Sequence, residues 1–162
     1  MGSSQKAGNK GRPSTPRDGS AVELIGLSKS VITFLSELFD RNEYPFDGVL
    51  EKDGTKWTFK EWSHKILTHF EKHFYITSDS EEDLINRRLI YKDTFGATIK
   101  WMDYQLRPNF LVAMVVAPDL FDKTNAQKAL DIVGEVLIGP LGVKTLDPKF
   151  VLIEIMFDFM NN

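Results

Sequence analysis

The sequence predicts a mostly α-helical domain carrying one small β-hairpin. Three observations carry that expectation. Apolar residues recur at helical spacing along much of the chain. Capping-box spacings, a Ser or Thr with Glu or Gln three residues later, open three of the segments. An Asp-Gly pair separates two short runs of strand character.

The first helix follows a polar start. Ser20 and Glu23 have the spacing of a capping box, and Leu24, Leu27, Val31, Phe34, Leu35 and Leu38 then form one apolar stripe. Polar residues and Pro45 close it. Val49 to Phe59 reads as a hairpin with Asp53-Gly54 as a two-residue turn. Thr58 and Glu61 open the second helix, whose Phe59, Trp62, Ile66, Phe70 and Phe74 share a heavily aromatic face. Thr77 to Trp101 is polar and irregular, with a possible short helix around residues 81–88; a connection of that length is functional or disordered. A third helix begins at Pro108, a residue suited to the first helical position, and contains Phe110 to Val116. Thr124 and Gln127 open a fourth, with Ala126, Ala129, Leu130, Val133 and Leu137 as its stripe and Gly139-Pro140 as its end. Residues 1–16 read as a mobile tail, and Phe150 to Asn162 as a short strand or buried terminus.

Length and composition narrow the function. The 162 residues make one domain or a piece of one. Twenty Lys and Arg against 23 Asp and Glu leave a slightly acidic chain, which argues against nucleic-acid binding. With no cysteine there is neither a disulfide nor thiolate chemistry. No run approaches the roughly 18 apolar residues of a membrane span, and no signal peptide is evident, so the cytosol is the expected compartment.

Two polar clusters precede helices: Thr15 to Glu23, and Trp101 to Asn109. Helix starts offer free backbone N–H groups, which suits a neutral polyhydroxylated ligand. Glu23 reads equally as a plain cap, and Arg107 as a surface cation before a proline. His69 and His73 stand four apart around Glu71 on the second helix, without the zinc-protease order or a further ligand cluster; they are expected to flank an apolar face, not a metal. There is no phosphate-binding Gly loop and no G-x-S-x-G elbow. Carboxylate chemistry on a sugar remains open, since glycoside hydrolysis needs only a pair of placed carboxyl groups.

Several blocks resemble a known family. Met1-Gly2-Ser3-Ser4 with Ala7-Gly8-Asn9, Thr15-Pro16-Arg17-Asp18-Gly19-Ser20-Ala21-Val22-Glu23 and Gly26-Leu27-Ser28-Lys29-Ser30 are similar to the C-terminal glucosidase domain of eukaryotic glycogen debranching enzymes. So are Ile90-Tyr91-Lys92-Asp93, Tyr104-Gln105-Leu106-Arg107-Pro108-Asn109-Phe110, Ala113 to Pro118 and Gly139 to Pro148. The resemblance implies an incomplete portion of an (α/α)6 barrel of the six-hairpin glycosidase type, spanning residues 17–148, with 149–162 as a divergent tail. It implies a cytoplasmic, bifunctional parent enzyme. A glucanotransferase activity shifts maltooligosaccharide from a branch of glycogen or limit dextrin, and this domain hydrolyses the α-1,6-linked glucose left behind. The hydrolysis proceeds with inversion, without metal or organic cofactor.

By position, the resemblance implies that Arg17, Glu23, Asp103, Arg107 and Asn109 line a glucose pocket. Arg17 and Arg107 should then share one surface. The segments that carry the family's catalytic acid and base fall before Met1 and beyond Pro148, so neither carboxylate is expected in this chain; Asp18 is a fallback acid. The expectation is a fragment that is inactive alone and whose partner is the remainder of the debranching enzyme. A non-catalytic helical module for glycan or protein, and a truncated gene product, are the competing readings.

Overall fold

In the computed structural model, residues 17–149 are described; the tail expected at 1–16 and the apolar stretch 150–162 lie outside the described residues. A two-residue strand β1 (Ser20–Ala21) runs straight into α1 (Val22–Asp40). The Ser20–Glu23 capping box does not form. Ser20 is held in a strand opposite Phe95, Glu23 is gripped by Arg17, and the cap position is Ala21 without a side-chain hydrogen bond.

The face that α1 buries also differs from expectation. Val22, Gly26, Lys29 and Ile32 point inward, whereas Leu24, Leu27, Val31 and Phe34 stand 41% to 57% exposed. The helix is apolar on both sides, so periodicity alone could not choose between them. Close approach decides the matter: a Cβ on Gly26 would lie 2.6 Å from both Cα and Cβ of Ala113. Only glycine lets the two backbones come so near. The cost is Lys29, whose buried ammonium bonds to Asp119 Oδ2 at 2.8 Å and Thr33 Oγ1 at 3.1 Å.

Strands β2 (Gly48–Leu50) and β3 (Lys56–Thr58) form the expected hairpin, with Val49 opposite Trp57. The turn is one residue longer than Asp53-Gly54 alone. Glu51 N–H donates to Thr55 O at 2.8 Å and Gly54 N–H to Glu51 O at 3.0 Å, while Gly54 takes φ +89°. That is a Lys52–Gly54 loop closed by a left-handed glycine. Thr58 then caps α2 (Phe59–Phe74) through the full box: Glu61 N–H donates to Thr58 Oγ1 at 3.1 Å and Thr58 N–H to Glu61 Oε2 at 3.0 Å. Phe59, Phe70 and Phe74 are buried on the expected stripe; Trp62 is exposed.

Strand β4 (Tyr75–Ile76) pairs with β5 (Ile90–Tyr91), and β6 (Thr94–Phe95) pairs with β1, both antiparallel. The short helix expected near 81–88 is absent. Arg87 is drawn to the buried carboxylate of Asp147 and Arg88 Nε donates to Ser80 O at 3.0 Å, so the segment folds back on itself instead. After a 3-10 turn at Lys100–Met102 comes α3 (Asn109–Val116), with Pro108 as its cap. Helix α4 (Lys123–Val136) is capped by Asp122, which accepts from the N–H groups of Thr124 at 2.9 Å and Asn125 at 3.0 Å. Asp122 thus takes the place expected of Thr124. Strands β7 (Ile138–Gly139) and β8 (Gly142–Val143) add a hairpin that the sequence did not announce.

The described residues are therefore mostly helical, with four two-stranded ladders. Their core is aromatic: Phe70 stacks on Phe74 at 4.9 Å, and Phe121 meets Phe70 edge-on at 4.9 Å and Tyr91 at 4.8 Å. Glu71 ties its rim, accepting from Tyr91 Oη, from Asp122 N–H at 2.7 Å and from Asn125 Nδ2 at 3.2 Å. No described helix is long and apolar enough to cross a membrane.

Candidate functional site

Packing α1 against α3 sets their N-terminal ends side by side. Between them passes the short link from β5 to β6, and at its centre is Asp93. Its backbone is fastened in both directions: Val22 N–H donates to Asp93 O at 3.0 Å, and Asp93 N–H donates to Asp103 O at 3.0 Å. The start of α1, the strand link and the 3-10 turn are thus pinned to one residue.

The side chain of Asp93 is completely enclosed, with 0% exposed. It accepts from Arg17 Nε at 2.6 Å, Arg17 Nη2 at 3.0 Å and Asn109 Nδ2 at 2.7 Å, while Arg107 Nε stands 3.6 Å from Oδ2. The outer edge of the Arg17 guanidinium clasps Glu23, with Nη1 on Oε1 at 2.6 Å and Nη2 on Oε2 at 2.7 Å. Arg107 Nε is also shared with Gln105 Oε1 at 2.7 Å, and its Nη1 reaches Thr145 O at 3.4 Å. Planar guanidinium forks suit this role because they bind carboxylates bidentately while keeping their charge.

Four of the five expected pocket residues meet here: Arg17, Glu23, Arg107 and Asn109. Arg17 and Arg107 do share one surface. Asp103 sits one layer away. Its buried carboxylate accepts from Thr94 Oγ1 at 2.6 Å, Gly96 N–H at 2.9 Å and Ala97 N–H at 3.1 Å, shaping the loop after β6. Asp18 lies on the exposed side, accepting from Thr98 N–H at 3.0 Å. Asp93, the hub, was not singled out by sequence reasoning. The signal available was a carboxylate two positions after an apolar pair, Ile90-Tyr91, inside an otherwise polar stretch.

Electrostatically the cluster is balanced, two guanidiniums against two carboxylates. The hydrogen bonds to Glu23 raise the Arg17 pKa well above its ordinary value, against the effect of burial and with help from Asp93. Burial pushes Glu23 up, but the hydrogen bond and charge of Arg17 outweigh it and hold the carboxyl below its usual range. Burial raises Asp93, opposed by the charge of Arg17, by Asn109 and by Arg107. Burial likewise lowers Arg107, with Asp93 pulling the other way. Asp18 is held below the ordinary aspartate value by its bonds to Thr98, which is the wrong direction for a general acid at neutral pH. Each carboxylate is thus committed to a donor. The arrangement gathers fixed, charged donors and acceptors at the adjoining starts of α1 and α3.

Among the described residues, no three His, Cys, Asp or Glu side chains converge to hold a metal ion. His69 stacks on His73 at 5.9 Å, and His73 leans on Phe95 at 4.6 Å, so both rings flank an apolar surface. Burial, then the nearby cations, lower the pKa of His73.

A family model described as amylo-alpha-1,6-glucosidase matches residues 2–154. The chain is also similar to the glycogen debranching enzyme of Saccharomyces cerevisiae, 45% identical over 158 residues. That match takes in 92% of this chain and 10% of the yeast protein, so the chain spans about a tenth of the relative's length.

Proposed function

This chain belongs to the amylo-alpha-1,6-glucosidase family, and from that premise we propose that it forms one wall of the pocket for an α-1,6-linked glucose stub. The substrate class is branched α-glucan, glycogen or limit dextrin, and the parent is a cytoplasmic debranching enzyme that also carries a 4-α-glucanotransferase. Residues 17–148 form part of an (α/α)6 barrel. The observation that carries the reading is the ion-paired cluster of Arg17, Glu23, Asp93, Arg107 and Asn109 at the adjoining starts of α1 and α3.

A glucose ring offers hydroxyls that both donate and accept. Arg17, Arg107 and Glu23 each keep an exposed edge, with 20%, 14% and 20% of the side chain open, while Asp93 holds the two arginines from beneath. Pre-ordered charged donors lose little entropy on meeting a hydroxyl. Asp103 supports the loop behind them. Because every carboxylate in the cluster is committed to a donor, the chain alone binds the sugar and does not hydrolyse it.

Titration of the chain with isomaltose, followed by NMR or calorimetry, tests the pocket. Saturable binding that Arg107→Ala removes supports it; no binding at millimolar sugar overturns it. Release of free glucose from a phosphorylase limit dextrin by the purified chain would overturn the non-hydrolytic part. A second reading, a non-catalytic module that binds protein, has one observation in its favour: the outward apolar residues of α1.

A further inference from the structure

The hairpin and the first turns of α2 build a second cleft, which shares no residue with the Asp93 cluster. It encloses about 320 Å³ and is lined by Val49, Glu51, Trp57, Trp62 and Lys65. Local geometry brings these five together. Val49 and Trp57 are cross-strand partners, and Glu51 follows Val49 by two residues, on the same face of the hairpin. Trp62 and Lys65 are three apart on α2, one above the other. The Thr58–Glu61 capping box lies between the two tryptophans and fixes the angle at which strand becomes helix.

The Trp57 indole is held in place. Trp57 Nε1–H donates to Glu51 Oε1 at 2.6 Å, and the Lys65 ammonium lies over the Trp57 ring, 4.1 Å from its centroid. Trp57 therefore has its N–H satisfied and one face covered. Trp62 is 41% exposed and offers a free apolar plane beside a carboxylate and an ammonium. Two tryptophans bordered by opposite charges are an unusual use of surface, because wet aromatic area is unfavourable and these rings contribute little to the buried core.

We propose that this cleft is an accessory site for a linear α-1,4-glucan segment. A pyranose stacks its C–H face on Trp62, and its rim hydroxyls donate to Glu51 and accept from Lys65. The choice of α-glucan rests on the function proposed above. The chemistry of the walls favours a sugar over a protein helix, which would want an apolar rim; here indole planes alternate with charged groups, as C–H faces alternate with hydroxyls on a pyranose. The volume lies at the small end of ligand clefts, suited to a short stretch of sugar units. A second hold on the same polymer would raise the local concentration of branch ends at the Asp93 cluster without tightening the pocket itself.

Calorimetry of the full 162-residue chain with maltoheptaose, together with electrophoresis through glycogen-containing gels, tests the proposal. Trp62→Ala should weaken maltoheptaose binding about tenfold or more and abolish retardation in the gel. Lys65→Met, at an exposed position, should weaken it several-fold. Arg107→Ala should leave maltoheptaose binding intact while removing isomaltose binding, so failure of the pocket and failure of the accessory site are read separately. Wild-type affinity in both Trp62→Ala and Lys65→Met overturns the proposal. So does sedimentation showing that Trp62→Ala abolishes self-association while glucan binding is unchanged, because Trp62 also borders the groove beside Leu24, Leu27 and Val31.

Discussion

Replacing Arg17 with methionine is the sharpest perturbation of the cluster. Asp93 has no exposed side-chain area, and Arg17 supplies two of its three hydrogen bonds, at 2.6 and 3.0 Å. Removing one partner of a buried ion pair costs about 3–5 kcal/mol, since the other charge stays desolvated. Here Asn109 remains, and Arg107, 3.6 Å away, can move closer. The Glu23 arm lies nearer solvent and is worth at most about 1 kcal/mol. The expected loss is therefore about 3 kcal/mol, read as a lower urea midpoint by circular dichroism with an unchanged slope. The partner substitution Asp93→Asn removes the charge that Arg17 serves. The double variant should then fall short of the summed single losses by about 1 kcal/mol or more. If Arg17→Met lies within about 0.5 kcal/mol of wild type, or the two losses simply add, the cluster is not a coupled unit.

Three further outcomes follow from the geometry. Gly26→Ala gains about 1 kcal/mol of helix propensity but drives a methyl to 2.6 Å from Ala113, so its net effect is a lowered Tm; a raised Tm would mean that α1 and α3 are less tightly apposed. Thr58→Ala removes the capping box of α2 and should cost about 1 kcal/mol, measured by urea unfolding. Burial raises the Asp147 carboxyl, but Arg87 and Lys149 outweigh it and hold it below its unfolded value, as Arg17 does for Glu23. Their stabilisation is present above the unfolded carboxylate values near pH 4 and is lost as pH falls through the lower folded ones. Asp93, pushed up by burial, acts in the opposite sense and blunts that loss. Urea midpoints should thus drop below about pH 4, and Asp147→Asn should reduce both the neutral-pH midpoint and the steepness of the acid fall.

What could be read from the residues was whatever is decided locally. The Thr58–Glu61 box, the Asp53-Gly54 hairpin and the proline-led α3 depend on neighbours within a few positions, and each forms within a residue of expectation. The failures share a cause, a competitor far along the chain. Glu23 does not return to cap α1 because Arg17, itself oriented by Asp93, takes both its oxygens. Lys29 is buried because Asp119, ninety positions on, meets it. The outward stripe of α1 was indistinguishable from the inward one until the Gly26–Ala113 contact chose between them. At the site, two arginines before two helix starts were legible. The aspartate joining them was not, because its importance comes from the β1–β6 and β4–β5 pairings that carry it between those helices.

The row Leu24, Leu27, Val31 and Phe34 leaves α1 greasy on the side turned to water. Adhesion of this kind needs no complementary charge, so it responds to solvent rather than to pH. Sulfate and warmth will draw molecules together along that row, while low salt and cold will part them.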